Sequence, residues 1–182
     1  HATTVTPDGR VWVMGGYGST AGYLANNDVY DPATNAWTAR APIPVATFGP
    51  AAVTLADGRI LLIGGYLSTS ATTTAVRIYD PATNAWTSTG SLATGRYHAA
   101  ATLGRDGRVY VFSGFSNGVG SVDSMEIYDP IANAWTAGPT APVRGTWIAS
   151  TTLLDGRILS IGGIYSAPPF NTVYGYAPST GT

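Results

Sequence analysis

The residues of this chain that could take part in catalysis or metal binding are few. The chain contains two histidines, His1 and His98, no cysteine, and a single glutamate, Glu126, which we expect to face solvent. Metal sites need several imidazole, thiolate or carboxylate ligands close together, so we predict no metal site and no cofactor. No Ser-His-Asp spacing and no phosphate-binding glycine loop stands out, so we also predict no catalytic residue.

Side chains suited to binding are concentrated in a few variable segments. Arg96, Tyr97 and His98 are consecutive, and Arg144 and Trp147 occupy a similar segment further along the chain. Aromatic rings with a few arginine and amide groups suit stacking on sugar rings or a hot spot for a peptide. The candidate ligand-binding residues are therefore Trp147, Arg96, Tyr97, His98, Arg144, Tyr17, Tyr66, Phe115 and Asn117.

Several of these candidates also have a purely structural interpretation. Tyr17, Tyr66 and Phe115 occupy equivalent positions and could simply pack between repeats. A lone histidine in a connection, such as His98, is commonly a hydrogen-bonded structural residue. Trp147 is the one tryptophan that matches neither the repeated tryptophan nor the second-strand aromatic position of Trp12 and Tyr110, and partial burial beside the axis is the alternative to a role in binding.

The elements that must position these residues come from an internal repeat of 49 residues. Asp-Gly-Arg begins at Asp8, Asp57, Asp106 and Asp155, and a glycine doublet follows each time, with Ser113 replacing one glycine. Downstream of each doublet lies a tyrosine, in three copies within Tyr-Asp-Pro, and three copies then have a tryptophan. Repeats of this length are typical of arrays and propellers.

The pattern predicts four short strands and no helix in each repeat. A small-residue strand (Ala2 to Thr6, Ala51 to Leu55, Ala100 to Leu103, Ala149 to Leu154) precedes the Asp-Gly turn, and an apolar strand follows it. That second strand is apolar on both faces, which indicates a sheet covered on both sides. A third strand ends at the tyrosine, Asp-Pro-Ala-Thr-Asn makes a turn, and a fourth strand carries the tryptophan.

Strand alternation divides the turns and loops between two ends of the sheets. The Asp-Gly and Asp-Pro turns fall at one end, which we call the turn face; their repetition indicates turn formation rather than catalysis. The loops after the glycine doublets and the connections between repeats fall at the other end, which we call the loop face. Because the loop face varies between repeats, we expect it to carry the binding residues.

Four antiparallel strands repeated radially describe an all-β propeller. The glycine doublet after an apolar strand, with tyrosine and tryptophan downstream, resembles the kelch repeat over essentially the whole chain. The resemblance implies one propeller domain over residues 1–182, with blades at about 2–49, 51–98, 100–147 and 149–182. The fourth blade lacks its tryptophan strand, so the chain is expected to be part of a larger propeller, to pair with a second copy, or to close with four blades.

Composition restricts the class of partner. The net charge is -1 and charged residues make up 10% of the chain, so there is no basic surface for nucleic acid. No apolar run is long enough for a membrane helix, and we predict no membrane insertion. Nine arginines without lysine, together with abundant Thr, Ala, Gly and Ser, suggest a secreted or cell-surface bacterial protein.

Three functions are compatible with this pattern. The leading hypothesis is a non-catalytic scaffold that binds a protein or carbohydrate through the loop face. The second is the propeller part of an enzyme similar to galactose oxidase, a resemblance that implies copper and a tyrosine cross-linked to cysteine, for which this chain has no cysteine. The third is a structural module that assembles into oligomers or filaments through open blade edges.

Overall fold

The structure is a computed structural model, and it describes residues 1–142, 144–165, 169–179 and 181. The described residues form nineteen β-strands and no helix. Their bounds are β1 Ala2–Val5, β2 Val11–Met14, β3 Tyr17–Gly18, β4 Gly22–Tyr23, β5 Asn27–Asp31, β6 Ala36–Ala39, β7 Ala51–Thr54, β8 Ile60–Ile63, β9 Val76–Asp80, β10 Ala85–Ser88, β11 Ala100–Leu103, β12 Val109–Phe112, β13 Phe115–Ser116, β14 Gly120–Ser121, β15 Met125–Asp129, β16 Ala134–Ala137, β17 Ala149–Thr152, β18 Ile158–Ile161 and β19 Val173–Tyr176.

The main strands form four separate antiparallel sheets, one for each repeat. The strand orders are β1-β2-β5-β6, β7-β8-β9-β10, β11-β12-β15-β16 and β17-β18-β19. The fourth sheet has three strands among the described residues, with β19 outermost. The expected β-propeller with four-stranded blades and an incomplete last blade is therefore confirmed.

The first strand of each blade lies innermost. β1 contacts β7, β7 contacts β11, and β11 contacts β17, so these strands lie side by side along the axis of the propeller. Their residues are small, and threonine hydroxyls link neighbouring strands: Thr4 lies 2.8 Å from Thr54 and Thr102 lies 3.2 Å from Thr152. Small side chains allow the close approach that an inner strand needs.

The apolar core consists of three layers, one between each pair of consecutive blades. Leu61 and Ile63 of β8 face the layer shared with blade three, whereas Ile60 and Leu62 face the layer shared with blade one. The two middle blades are thus buried on both sides, as the apolar second strands predict. The end blades each have one uncovered side, which leaves Val5 and Ile161 exposed.

Aspartate and asparagine build the turns, as the sequence predicts. Asp57 accepts from the backbone N–H of Arg59, and Asp80 accepts from that of Ala82. Asn84 has a left-handed backbone with a φ of 54°, and its side-chain oxygen accepts from the Tyr79 hydroxyl at 2.7 Å. These bonds recur at equivalent positions of the first and third blades.

The repeated tryptophan connects one blade to the blade before it. The indole N–H of Trp86 donates to the carbonyl of Ala41 at 2.9 Å, and that of Trp135 donates to Gly90 at 2.8 Å. The equivalent Trp37 of blade one has no such neighbour among the described residues and is 59% exposed. The tryptophan is therefore an inter-blade connector where a preceding blade is present.

Candidate functional site

Aromatic side chains from both kinds of loop-face segment meet in one continuous group. Two of its members come from the ribbon β3–β4, which the sequence did not predict. We call this group the aromatic surface; its members are Tyr17, Tyr23, Phe48, Tyr66, Tyr97, His98, Phe115 and Trp147. It includes six of the nine predicted binding residues, and only Arg96, Arg144 and Asn117 lie outside it.

Backbone pairing between blades brings these rings together. Phe48, in the connection before blade two, exchanges two backbone hydrogen bonds of 2.9 and 2.8 Å with Tyr66, which follows the glycine doublet of that blade. Tyr97 and Phe115 are paired in the same way at 3.0 and 2.9 Å. The doublet allows this approach, because a Cβ at Gly114 would lie 2.9 Å from the carbonyl oxygen of Tyr97.

The rings form an unbroken series of contacts from one blade to the next. Ring centroids are 5.0 Å apart for Trp147 and His98, 4.8 Å for His98 and Phe48, and 6.1 Å for Phe48 and Tyr17. Tyr97 contacts His98 at 4.7 Å. Separations of this size are those of favourable aromatic pairs. The aromatic surface is therefore packed and pre-ordered across the first three blades and the connection to the fourth.

His98 and Trp147 have a strained backbone conformation. They occupy the position of Gly49 in successive repeats, directly before the innermost strand, and the three residues have φ values of 51°, 54° and 61°. Glycine adopts this left-handed region freely, whereas bulky side chains there are uncommon and cost about 1–3 kcal/mol each. Trp147 is nevertheless 65% exposed, so little burial offsets that cost. Strain of this kind is concentrated at functional sites.

His98 lies beneath Trp147 and over Gly49. A Cβ at Gly49 would lie 2.5 Å from the imidazole Cδ2, so the missing side chain of Gly49 makes room for the His98 ring. Burial among aromatic rings lowers the pKa of His98 from 6.5 to about 4. The imidazole is therefore neutral at pH 7 and extends the aromatic surface rather than adding charge.

Arg96 belongs to the core of the loop face rather than to its surface. The side chain is fully buried, and its N–H groups donate to the carbonyls of Thr94, Ser113 and Ser124, to the Ser124 hydroxyl and to Glu126. These five bonds use all five donors of the guanidinium. Arg96 consequently has no N–H left for a ligand, and we treat it as a residue that positions Tyr97 and His98.

The expectation that Glu126 faces solvent is wrong. Glu126 is 6% exposed, lies 2.6 Å from Arg96, and also accepts from the backbone N–H groups of Ala93 and Thr94. It points toward blade two because alternate residues of β15 face opposite sides of the sheet. A buried carboxylate is stable here because a cation and two backbone donors surround it.

Arg144 and Asn117 lie at the margin of the aromatic surface. Arg144 is exposed and forms an ion pair with Asp123 at 2.7 Å. The Asn117 side chain donates to the carbonyl of Ser70 at 2.7 Å, which joins the loops of blades two and three. Both residues are accessible at the surface, but their visible bonds are made within the protein.

A cleft among the described residues lies on the opposite, turn face. It has a volume of about 480 Å³ between blades one and two and is lined by carboxylates and arginines of the turns. Arg10 bridges Asp8 and Asp31 at 3.3 and 3.1 Å, and Arg59 lies 2.7 Å from Asp57. Because these charges neutralise one another and also form the turns, we assign this cleft a structural role.

Two further features of the described residues bear on function. No group of three or more His, Asp or Glu side chains among them lies close enough to hold a metal ion. They also include no helix long and apolar enough to span a bilayer.

Comparison with known proteins identifies one family. Residues 1–182 match the family model described as the KLHDC2/KLHL20/DRC7 Kelch-repeats domain. No curated protein sequence matches the chain significantly.

Proposed function

The chain belongs to the family of Kelch-repeats domains, and we propose that it is a non-catalytic scaffold that binds a partner protein through its loop face. Kelch domains typically mediate protein–protein interaction. The proposal assigns that role here to the aromatic surface, with Trp147 and His98 at its centre.

The observation that carries the proposal is the position of Trp147. Its ring is exposed, its backbone is strained, and the equivalent residue in the first repeat is glycine. The fold therefore does not require a tryptophan at this position. Tryptophan and tyrosine are the side chains most enriched at the energetic centres of protein interfaces.

The shape of the surface favours a protein over a small ligand. The aromatic surface extends over several loops, whereas three clefts among the described residues lie on the turn face and between blades three and four. Small ligands bind in concave sites that bury most of their surface, whereas protein interfaces are broad. Carbohydrate binding by ring stacking, the other expectation from the sequence, is tested in the same experiment.

The experiment compares three immobilised forms of the protein in an extract of the source cells. The forms are the wild type, the loop-face variant His98→Gly/Trp147→Gly, and a turn-face control, Arg59→Gln/Arg157→Gln. Both arginines of the control form exposed ion pairs worth about 0–1 kcal/mol, so the control should fold. Quantitative mass spectrometry then measures which proteins each form retains.

We expect the loop-face variant to lose a protein that the wild type and the turn-face control retain. Retention by all three forms, or loss only in the turn-face control, would overturn the proposal. Elution of that protein by free oligosaccharide, or its loss after deglycosylation of the extract, would show that the ligand is a glycan and not the protein itself.

A further inference from the structure

We propose that the aromatic surface binds a proline-rich segment of the partner, an inference that rests on the proposed function. The segment would be extended and poor in backbone N–H groups, and it would lie across Trp147, His98 and the neighbouring tyrosines. The shape, hydrogen-bonding capacity and charge of the aromatic surface each support this assignment.

The first step concerns shape. Trp147, His98, Phe48 and Tyr17 follow one another at centroid separations of 5.0, 4.8 and 6.1 Å, which gives a connected series of rings from the connection to blade four as far as blade one. A polyproline II helix is extended, with three residues in each turn and about 3.1 Å of rise per residue. Its pyrrolidine rings pack well against aromatic rows, and the segment loses little entropy because it is already extended.

The second step concerns hydrogen bonding. The hydroxyls of Tyr17, Tyr66 and Tyr97 and the indole N–H of Trp147 make no hydrogen bond within the described part of the chain. In contrast, the hydroxyls of Tyr30, Tyr79 and Tyr128 are bonded to asparagine. The aromatic surface therefore offers four donors that have no acceptor within the described residues. A proline-rich segment offers carbonyl acceptors and, since proline has no N–H, few donors of its own that need partners.

The third step concerns charge. The guanidinium of Arg96 is buried and fully bonded, and Arg144 is paired with Asp123. His98 is neutral at pH 7 because its burial holds its pKa at about 4. An acidic or a basic segment would therefore find no unpaired opposite charge among these side chains, whereas a proline-rich segment needs none.

The test is a titration of the isotopically labelled protein with the peptide acetyl-decaproline-amide. Nitrogen–proton NMR resolves the indole N–H signals of the five tryptophans, and the Trp147 signal is identified by its absence from the Trp147→Gly variant. The substitution introduces glycine, which is the residue that the first repeat has at the equivalent position, so the fold of the variant should be preserved. Trp37 is the matched control because it is similarly exposed but lies away from the aromatic surface.

We expect decaproline to shift the Trp147 signal in a saturable way and to leave the Trp37 signal in place. Trp147→Gly should weaken decaproline binding at least about tenfold, whereas Trp37→Phe should change it less than about twofold, because interface energy is concentrated in a few anchors. A glycine–serine peptide of equal length should cause no saturable shift.

The inference is overturned if decaproline leaves the Trp147 signal unchanged, if the glycine–serine peptide shifts it equally, or if Trp147→Gly binds decaproline as the wild type does. A saturable shift with cellohexaose but not with decaproline would overturn it in favour of a glycan.

If decaproline does not bind while the loop-face variant still loses the protein that the wild type retains, only the assignment of a proline-rich segment is wrong. If the loop-face variant also retains that protein, the proposed function falls with it.

Discussion

Arg96 of one inter-blade connection donates to Glu126 of the following blade across 2.6 Å, and both side chains are buried. The pair fixes the connection that leads directly into Tyr97 and His98. The equivalents of Arg96 are Thr47 and Gly145, so the other connections have no counterpart of this pair. The connection that this buried pair holds is thus the one that carries two residues of the proposed binding site.

Removing one partner of this pair should destabilise the protein strongly. Arg96→Met leaves the Glu126 carboxylate buried without a counter-ion, which costs about 3–5 kcal/mol of unfolding free energy. The double variant Arg96→Met/Glu126→Leu leaves no uncompensated charge and should be more stable than Arg96→Met alone. Urea unfolding of the wild type, both single variants and the double variant provides the measurement. A double variant as unstable as the sum of the two singles would contradict this account.

The inter-blade role of the repeated tryptophan predicts a contrast between two otherwise equivalent residues. Trp86→Phe removes the donor to the Ala41 carbonyl and should lower the unfolding free energy by about 1–2 kcal/mol. Trp37→Phe removes no such bond and should change it by less than about 0.5 kcal/mol. Thermal or urea unfolding of the two variants side by side makes the comparison, and equal losses would argue against the connector role.

Backbone strain at Trp147 predicts an unusual order of stability for two substitutions. Alanine keeps a Cβ in the left-handed region, whereas glycine relieves that conflict. We therefore expect Trp147→Gly to be more stable than Trp147→Ala by about 1 kcal/mol, opposite to the usual order of these residues in regular structure. The difference between the denaturation midpoints of Trp147→Gly and Trp147→Ala measures this difference in stability. If alanine proves the more stable variant, the strain argument fails.

The lowered pKa of His98 predicts a window of pH sensitivity. The unfolded chain has a histidine pKa near 6.5 and the folded chain one of about 4, so between these values the unfolded state binds more protons. Stability should therefore be complete above pH 6.5 and fall as the pH drops toward 4. Unfolding free energies of wild type and His98→Gly at pH 7, 5.5, 4.5 and 3 test this, since the variant should not lose stability between pH 6.5 and 4 for this reason.

A separate acid transition provides an internal control for that experiment. Hydrogen bonds from Thr6 lower the pKa of Asp8 below its ordinary 3.8, and those from Arg59 do the same for Asp57. Their stabilising contribution is present at neutral pH and is lost only as the pH falls below about 4. Both proteins should show this lower transition. If the unfolding free energies of the wild type and of His98→Gly changed with pH in parallel over the whole range, His98 would not be the cause of the loss of stability between pH 6.5 and 4.

The architecture could be predicted from the sequence because it depends on signals that are local and repeated. Asp-Gly turns, apolar runs and Asp-Pro turns each specify a short piece of backbone, and a 49-residue period specifies that the pieces recur. The division into a loop face and a turn face follows from strand alternation alone. The meeting of Tyr17, Tyr66, Tyr97 and Phe115 on one face is a consequence of that division.

The burial of Arg96 could not be predicted in the same way, because its partner lies 30 positions away on another blade. An arginine in a connection with glycine and serine nearby resembles an exposed residue. One signal was available: Arg96 and Glu126 both depart from their repeat equivalents, and Glu126 is the single glutamate of the chain. The strain at His98 and Trp147 also had a signal, since their equivalent in the first repeat is Gly49.

The most direct test of the central claim is the amount of partner protein that Trp147→Gly retains, measured on a preparation whose unfolding free energy is at least that of the wild type. The account predicts that the variant is stably folded and loses the protein that the wild type retains, because Trp147 serves binding rather than folding. A stable Trp147→Gly variant that retains this protein in full would contradict it.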